Sequence, residues 1–259
     1  MHNCKPTDII CHERVISMDT LFYTAGSSPA LGYAVKLLKQ MDIPFCPHSD
    51  LAATHLLLPT PAFTDSGLLT GGVNIHTILP QLSKDVTIVG GNLSHPALTG
   101  YKTLDLLKDD TYLAKNAAIT AHCALRYAIT QLPVTLESCP VLVIGWGRIG
   151  KCLARLLRAL DAQVTVAARK SADRAILEAL GYNCVSTDNL DTSAYRVIFN
   201  TAPSPIVQGG TGLKIDLASK PGIIAPDVLW ARGLPGKDAP ETSGKLIAET
   251  VIRLLEQGA

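Results

Sequence analysis

No stretch of this 259-residue chain stays apolar for the ~20 positions a membrane span requires, so no bilayer-crossing helix is expected. Neither sign of charge dominates. With 23 Lys and Arg against 22 Asp and Glu the formal net charge is +1, which leaves no global field for nucleic acid or an anionic membrane. Any anion site must therefore be local. The seven cysteines (Cys4, Cys11, Cys46, Cys123, Cys139, Cys152 and Cys184) form no C-x-x-C pair, and a disulfide framework or a zinc cage needs tighter spacing. A secretory apolar region is missing too, so the thiols read as reduced, the protein as cytoplasmic and metal-free. The G-x-S-x-G elbow, the H-E-x-x-H helix and the P-loop Lys-Thr pair are absent, as are solenoid repeats and low-complexity tracts.

What remains is a chain rich in core-forming residues, 47% hydrophobic and 17% charged, in which short apolar runs alternate with helical stretches. Residues 1–17 are polar and mixed and read as a tail, with Met18 as the natural start. The first domain is expected over 18–116, for substrate or partner binding. Strands are expected at Leu21–Tyr23, His55–Leu58, Val86–Val89 and near Thr111–Ala114, and helices over Ala30–Met41, Val73–Leu82 and Thr103–Leu107. A linking helix, Ala117–Gln131, with its connector fills 117–138. The second domain, 139–259, carries six strand candidates: Val141–Ile144, Val164–Ala167, Cys184–Val185, Val197–Asn200, Lys214–Leu217 and Val228–Ala231. It closes with an amphipathic helix over Glu241–Leu255. Strands alternating with helices predict an α/β protein of two Rossmann-like parallel-sheet domains joined by the linking helix.

The sharpest motif is VLVIGWGRIGKCLARLLRAL. Apolar Val141–Ile144 form a buried strand, and Gly145-x-Gly147-x-x-Gly150 then opens a helix with Ile149, Leu153, Leu156, Leu157 and Leu160 at helical spacing. The first glycine permits the tight turn, the second lets backbone approach a pyrophosphate, and the third lets helix pack on strand. The helix N-terminus offers free N–H groups to the anion. Trp146, Arg148 and Ile149 complete this loop. At the end of the next strand, an NAD site would place a carboxylate for the ribose 2′-OH. This chain has Ala168-Arg169-Lys170-Ser171 instead, two cations and a hydroxyl suited to a 2′-phosphate. NADP(H) is the expected cofactor.

These residues, with NTAPSPI (200–206), IDLASKPG (215–222) and RGLPGKDAPETSGKLIA (232–248), resemble the dipicolinate synthase A-subunit family, over nearly all of Met18–Leu255. The resemblance implies NADP-dependent oxidation of a dihydrodipicolinate-type precursor to pyridine-2,6-dicarboxylate in sporulation, with a flavoprotein-like B subunit as partner. It places Asn200, Thr201, Ala202 and Pro203 beside the nicotinamide and Asp216, Leu217, Ala218 and Ser219 in a loop at the carboxyl edge of the sheet, with Leu217, Ala218 and Ser219 also expected to bind the cofactor. Pro221, Gly233, Pro235 and Gly236 match further loops there. Substrate contacts are expected from Ser27, Ser28, Asn116, Thr120, Arg232, Gly233 and Lys237, and catalytic roles from His122, Asn200 and Asp216.

Two departures mark a divergent member. The family's P-T-x-E-G segment is replaced here by Ala118-Ile119-Thr120-Ala121-His122, so His122 stands where a carboxylate is usual. Its first loop usually carries an acidic residue and an arginine, whereas this one reads Ala25-Gly26-Ser27-Ser28-Pro29. His122 could relay a proton in place of the missing group. Other dehydrogenase classes fit less well. All seven histidines lie at or before position 122, which removes the late acid–base histidine of a 2-hydroxyacid dehydrogenase. Leu58-Pro59-Thr60-Pro61 lacks the lysine of a shikimate-dehydrogenase-like enzyme. An NADP(H)-binding subunit without catalysis, or a reductase of another small imine or carbonyl, stays open. So does self-association.

Overall fold

The computed structural model describes residues 20–188, 190–203, 207–208, 211–225 and 227–258; the expected tail 1–17 and the Ser204-Pro205-Ile206 part of NTAPSPI lie outside them. Two compact units divide the chain. One comprises residues 20–27, Val35–Leu106 and 247–258, and the other Ser28–Ala34 and Leu107–Leu246.

The first unit holds a four-stranded parallel sheet in the order β1 (Phe22–Thr24), β2 (His55–Leu57), β3 (Thr87–Gly90), β4 (Thr103–Asp105). Helix α1 (Pro29–Gln40) follows β1, and its Leu31, Ala34 and Leu38 are buried at the spacing that the sequence showed. Leu56, Leu58, Leu69, Ile75 and Ile88 form the apolar core of the unit. Two expectations fail here. Val73–Leu82 is not one helix but two 3-10 turns, Ile75–Thr77 and Leu79–Gln81, because Pro80 cannot continue a helix in which its N–H would be needed. Thr103–Leu107 begins as strand β4 and turns only at Leu106.

Helix α2 runs from Asp110 to Gln131 and absorbs Thr111–Ala114, where a strand was expected. Its start is fixed by Asp109, whose Oδ1 accepts the Tyr112 N–H at 2.6 Å. No proline or glycine interrupts the 22 residues that follow.

The second unit carries a six-stranded parallel sheet: β5 (Pro140–Ile144), β6 (Gln163–Ala167), β7 (Asn183–Val185), β8 (Val197–Asn200), β10 (Leu213–Asp216) and β12 (Val228–Trp230). Every one of the six expected strands is present. The spatial order β12-β10-β8-β5-β6-β7 is that of a doubly wound dinucleotide fold. Val141–Ile144 and Val197–Phe199 have no exposed surface, as central strands covered on both faces require. Helix α3 (Arg148–Arg158) buries Leu153, Ala154 and Leu157 against them, and α4 (Ser171–Ala179) follows β6. A small ribbon pairs β9 (Val207–Gln208) with β11 (Ile223–Ile224). Helices α5 (Leu234–Asp238) and α6 (Pro240–Glu256) end the chain.

Candidate dinucleotide site

In the six-stranded sheet the strand order reverses between β5 and β8, and the ligand crevice of such sheets lies outside the carboxyl ends of the strands at that point. A cleft of about 590 Å³ occupies this place, lined by the Gly145-Trp146-Gly147 turn, Ala168-Arg169-Lys170, Asp173, Thr187-Asp188 and Thr201-Ala202-Pro203. A smaller cavity of about 240 Å³ shares Gly147 and Thr201 with it and adds Leu113, Asn116, Ala117, Arg148 and Ile149.

The turn is built as its sequence requires. Gly145 has φ +101°, open to glycine at little cost, and its N–H donates to the Ala167 carbonyl at 2.9 Å. A Cβ at Gly150 would overlap the Gly145 carbonyl oxygen, so helix and strand approach only because that side chain is missing. Nothing stands within 4 Å above Gly147, which leaves open backbone at the start of α3. Thr201 ties β8 to the turn, its hydroxyl donating to the Ile144 carbonyl at 2.9 Å. Open backbone at a helix N-terminus, with cations at the end of β6, fits a dinucleotide.

Arg169 and Lys170 line the large cleft and are exposed, while Ser171 opens α4, exposed, without lining it. Arg174 holds the loop in shape by donating to the Ala168 and Arg169 carbonyls at 2.8 and 2.9 Å. That arginine escapes a motif search because its role depends on the turn between β6 and α4. Asp173 and Asp188 also line the cleft and were not foreseen.

Asn200 and Asp216, expected as catalytic, are fully buried and engaged with the protein itself. The Asp216 Oδ1 accepts from Asn200 Nδ2 and Ala218 N, both at 3.0 Å; Oδ2 accepts from Gly222 N at 2.6 Å and Ile223 N at 2.9 Å. Four donors fill the acceptor capacity of a carboxylate. The Asn200 amide also donates to the Ala202 carbonyl and accepts the Ala202 N–H, each at 3.0 Å. The geometry of both is that of positioning residues at the strand ends. Leu217 and Ala218 are buried in the loop they hold, and Ser219 is exposed.

Among the expected substrate residues, Asn116 lines the smaller cavity, and the buried Thr120 hydroxyl donates to the Asn116 carbonyl at 2.8 Å. His122 is exposed and lines neither space: six residues past Asn116, it sits roughly 240° further round α2 at ~100° per residue. Arg232, Gly233 and Lys237 are exposed and line neither. The Arg232 guanidinium lies 5.7 Å from the Trp230 ring centre. Ser28 Oγ accepts the Leu31 N–H at 3.1 Å in the first turn of α1, and the Ser27 N–H donates to the Thr70 carbonyl at 2.7 Å. In the six-stranded sheet, the buried Lys214 ammonium donates to both oxygens of Asp227 at 3.1 and 2.8 Å. This holds the Asp227 carboxyl below its usual range and pins β12 to β10.

The family of D-isomer specific 2-hydroxyacid dehydrogenases matches through its NAD binding domain over residues 130–206, the segment from the end of α2 to just past β8. The A subunit of dipicolinate synthase from Bacillus subtilis (strain 168) is 30% identical over 230 residues, covering 78% of this chain and 77% of its own. The chain belongs to the dipicolinate synthase A-subunit family. Solved structures agree on the fold. The dipicolinate synthase A subunit from Bacillus halodurans superposes with a TM-score of 0.78 at 22% identity, covering 92% of this chain and 98% of that one. Its counterpart from Bacillus subtilis gives 0.77 at 24%, covering 93% and 97%. The transhydrogenase from Sinorhizobium meliloti gives 0.64 at 13%, covering 92% and 94%. The family and the matched domain are those of dehydrogenase-type oxidoreductases with a nicotinamide dinucleotide as cofactor. Among the described residues no helix is long and apolar enough to cross a membrane, and no cluster of three His, Cys, Asp or Glu is placed to hold a metal.

Proposed function

We propose that this protein is the NADP-dependent dehydrogenase component of a dipicolinate synthase, acting on a dihydrodipicolinate-type precursor in the cytoplasm of a sporulating cell. The observation that carries the cofactor choice is the end of β6, where Arg169 and Lys170 face the cleft and no carboxylate follows Ala168 directly. A 2′-phosphate gains charge-assisted hydrogen bonds from that pair, and the Arg174 clamp orders the loop beforehand. Bound there, the cofactor supplies hydride acceptance, and the protein supplies orientation and charge. The Asn200–Asp216 pair positions Thr201 to Pro203, and Asn116 with Thr120 orders the α2 wall of the smaller cavity, where the substrate ring would stand.

The smaller cavity is lined by no histidine or carboxylate. A flavoprotein-like B subunit is the proposed partner in turnover. The test is pyridine-2,6-dicarboxylate formation by the purified protein with and without a candidate B subunit. The precursor is generated in place from aspartate semialdehyde and pyruvate, with NADP+ or NAD+ supplied. Product with NADP+ well above NAD+ is expected when both subunits are present. No product under any pairing, with NADPH still bound, rejects the catalytic reading in favour of a cofactor-binding subunit or a reductase of another small imine or carbonyl.

A further inference from the structure

Arg148 is the first residue of α3, where a cation meets the positive end of the helix dipole and is disfavoured. Its guanidinium is held by one carboxylate: Nη2 lies 2.6 Å from Oδ1 of Asp110, the first residue of α2. Both side chains are open to solvent, 54% exposed for Arg148 and 88% for Asp110. An ion pair so exposed contributes little to folding. What it does fix is where the guanidinium points and the charge at the mouth of the smaller cavity, which Arg148 lines beside Gly147, Asn116 and Thr201.

We propose that Asp110 is an internal competitor for Arg148. It occupies the guanidinium until an anionic group of the ligand, a phosphate oxygen of the dinucleotide or a carboxylate of the acid substrate, takes its place. The inference rests on the dinucleotide reading of the cleft. Asp110 neutralises Arg148 in the resting protein and keeps the ligand affinity below what the cations alone would give. Once displaced, its carboxylate is left in water, where it is well solvated, so the exchange is cheap. Nothing else in the two cavities offers Arg148 a carboxylate on α2, since Leu113, Asn116 and Ala117 are uncharged.

The test is Asp110→Asn, compared with the parent and repeated in an Arg148→Met background. NADPH binding is read by nicotinamide fluorescence, and pyridine-2,6-dicarboxylate binding to the NADP+-saturated protein by calorimetry. Removing the competitor is expected to tighten one of the two ligands by roughly two- to fivefold, the size of an exposed ion pair. The gain should vanish in the Arg148→Met background. Tightening confined to NADPH assigns Arg148 to the phosphates, and tightening confined to the dicarboxylate assigns it to substrate. Unchanged or weaker binding of both ligands overturns the inference, as does an equal gain without Arg148. A parent protein that binds neither NADPH nor NADH overturns instead the dinucleotide reading on which it stands. Melting temperatures of the four proteins are expected to agree closely, because the pair is exposed.

Discussion

Four donors converge on the Asp216 carboxylate, from one side chain and three backbone N–H groups, and these fix both the end of β8 and the loop that leaves β10. An amide in its place has one oxygen and one N–H₂, so two of the four donors would face another donor. Asp216→Asn is therefore expected to cost about 3 kcal/mol, the scale of losing hydrogen bonds to a buried charge. An unchanged midpoint in urea denaturation would show that the loop holds itself. Nothing in the spacing of I-D-L-A-S reveals this, because the partners come from 16 residues upstream and from six and seven downstream. His55 supplies the pH counterpart. Burial, reinforced by the charge of Lys102, lowers its pKa, and the ring packs 4.9 Å from Phe22. The unfolded chain then binds the proton more readily than the folded one, so stability contributed by neutral His55 is present above the unfolded pKa of ~6.5 and falls as pH drops below it. Thermal unfolding between pH 7.5 and 5.5 should show a drop that His55→Phe reduces. An identical slope in that variant would place the pH dependence elsewhere.

At the level of elements, what local chemistry dictates was legible and what packing decides was not. Strand β5, the turn and α3 follow from four apolar residues and three glycines, and they form as expected. Thr111–Ala114 looks extended by its own residues, yet the Asp109 cap and the uninterrupted run to Gln131 make it helix. Helix α4 gave no clear apolar stripe facing a core, since among its residues only Leu177 is buried. The cleft follows the same division. Arg169 and Lys170 were readable from their place after a strand, whereas Asp188 reaches the cleft only because β7 lies beside β6, and Asp110 meets Arg148 only because α2 approaches α3. Gly244 shows packing alone at work. A Cβ there would stand 2.5 Å from Tyr33 Cβ and 2.6 Å from the Ala30 carbonyl oxygen, so α6 crosses the first turns of α1 only through glycine. Gly244→Ala gains helix propensity worth up to ~1 kcal/mol but overpacks the crossing by about 1–3 kcal/mol, for a net loss. A midpoint equal to or above the parent's would mean that the crossing relaxes freely.

For the molecule as a whole, a near-neutral chain must bind an anionic ligand with local charge, and the large cleft itself holds two cations, Arg169 and Lys170, against two carboxylates, Asp173 and Asp188. The extra phosphate of NADPH relative to NADH meets the cations only if it lies at the end of β6. There a charge-assisted bond to Arg169 is worth about 1.5–3 kcal/mol, or roughly 10- to 100-fold in affinity. A ligand that binds the folded state at ~100 times its Kd adds about 2.7 kcal/mol of stability. For a unit of this size each kcal/mol raises the transition by roughly 2–4 °C. NADPH is therefore expected to raise the melting temperature by about 5–10 °C, and NADH at the same concentration to raise it much less. Because the cleft lies wholly within the Leu107–Leu246 part of the chain, the shift belongs to the transition of that unit. Arg169→Ala should bring the two nucleotides together by weakening NADPH alone. Equal shifts with both in the parent would move the 2′-phosphate away from Arg169 and remove the ground for an NADP preference. A loss with both in the variant would instead make Arg169 a residue of the loop's structure, acting with Arg174 on the shape of the cleft.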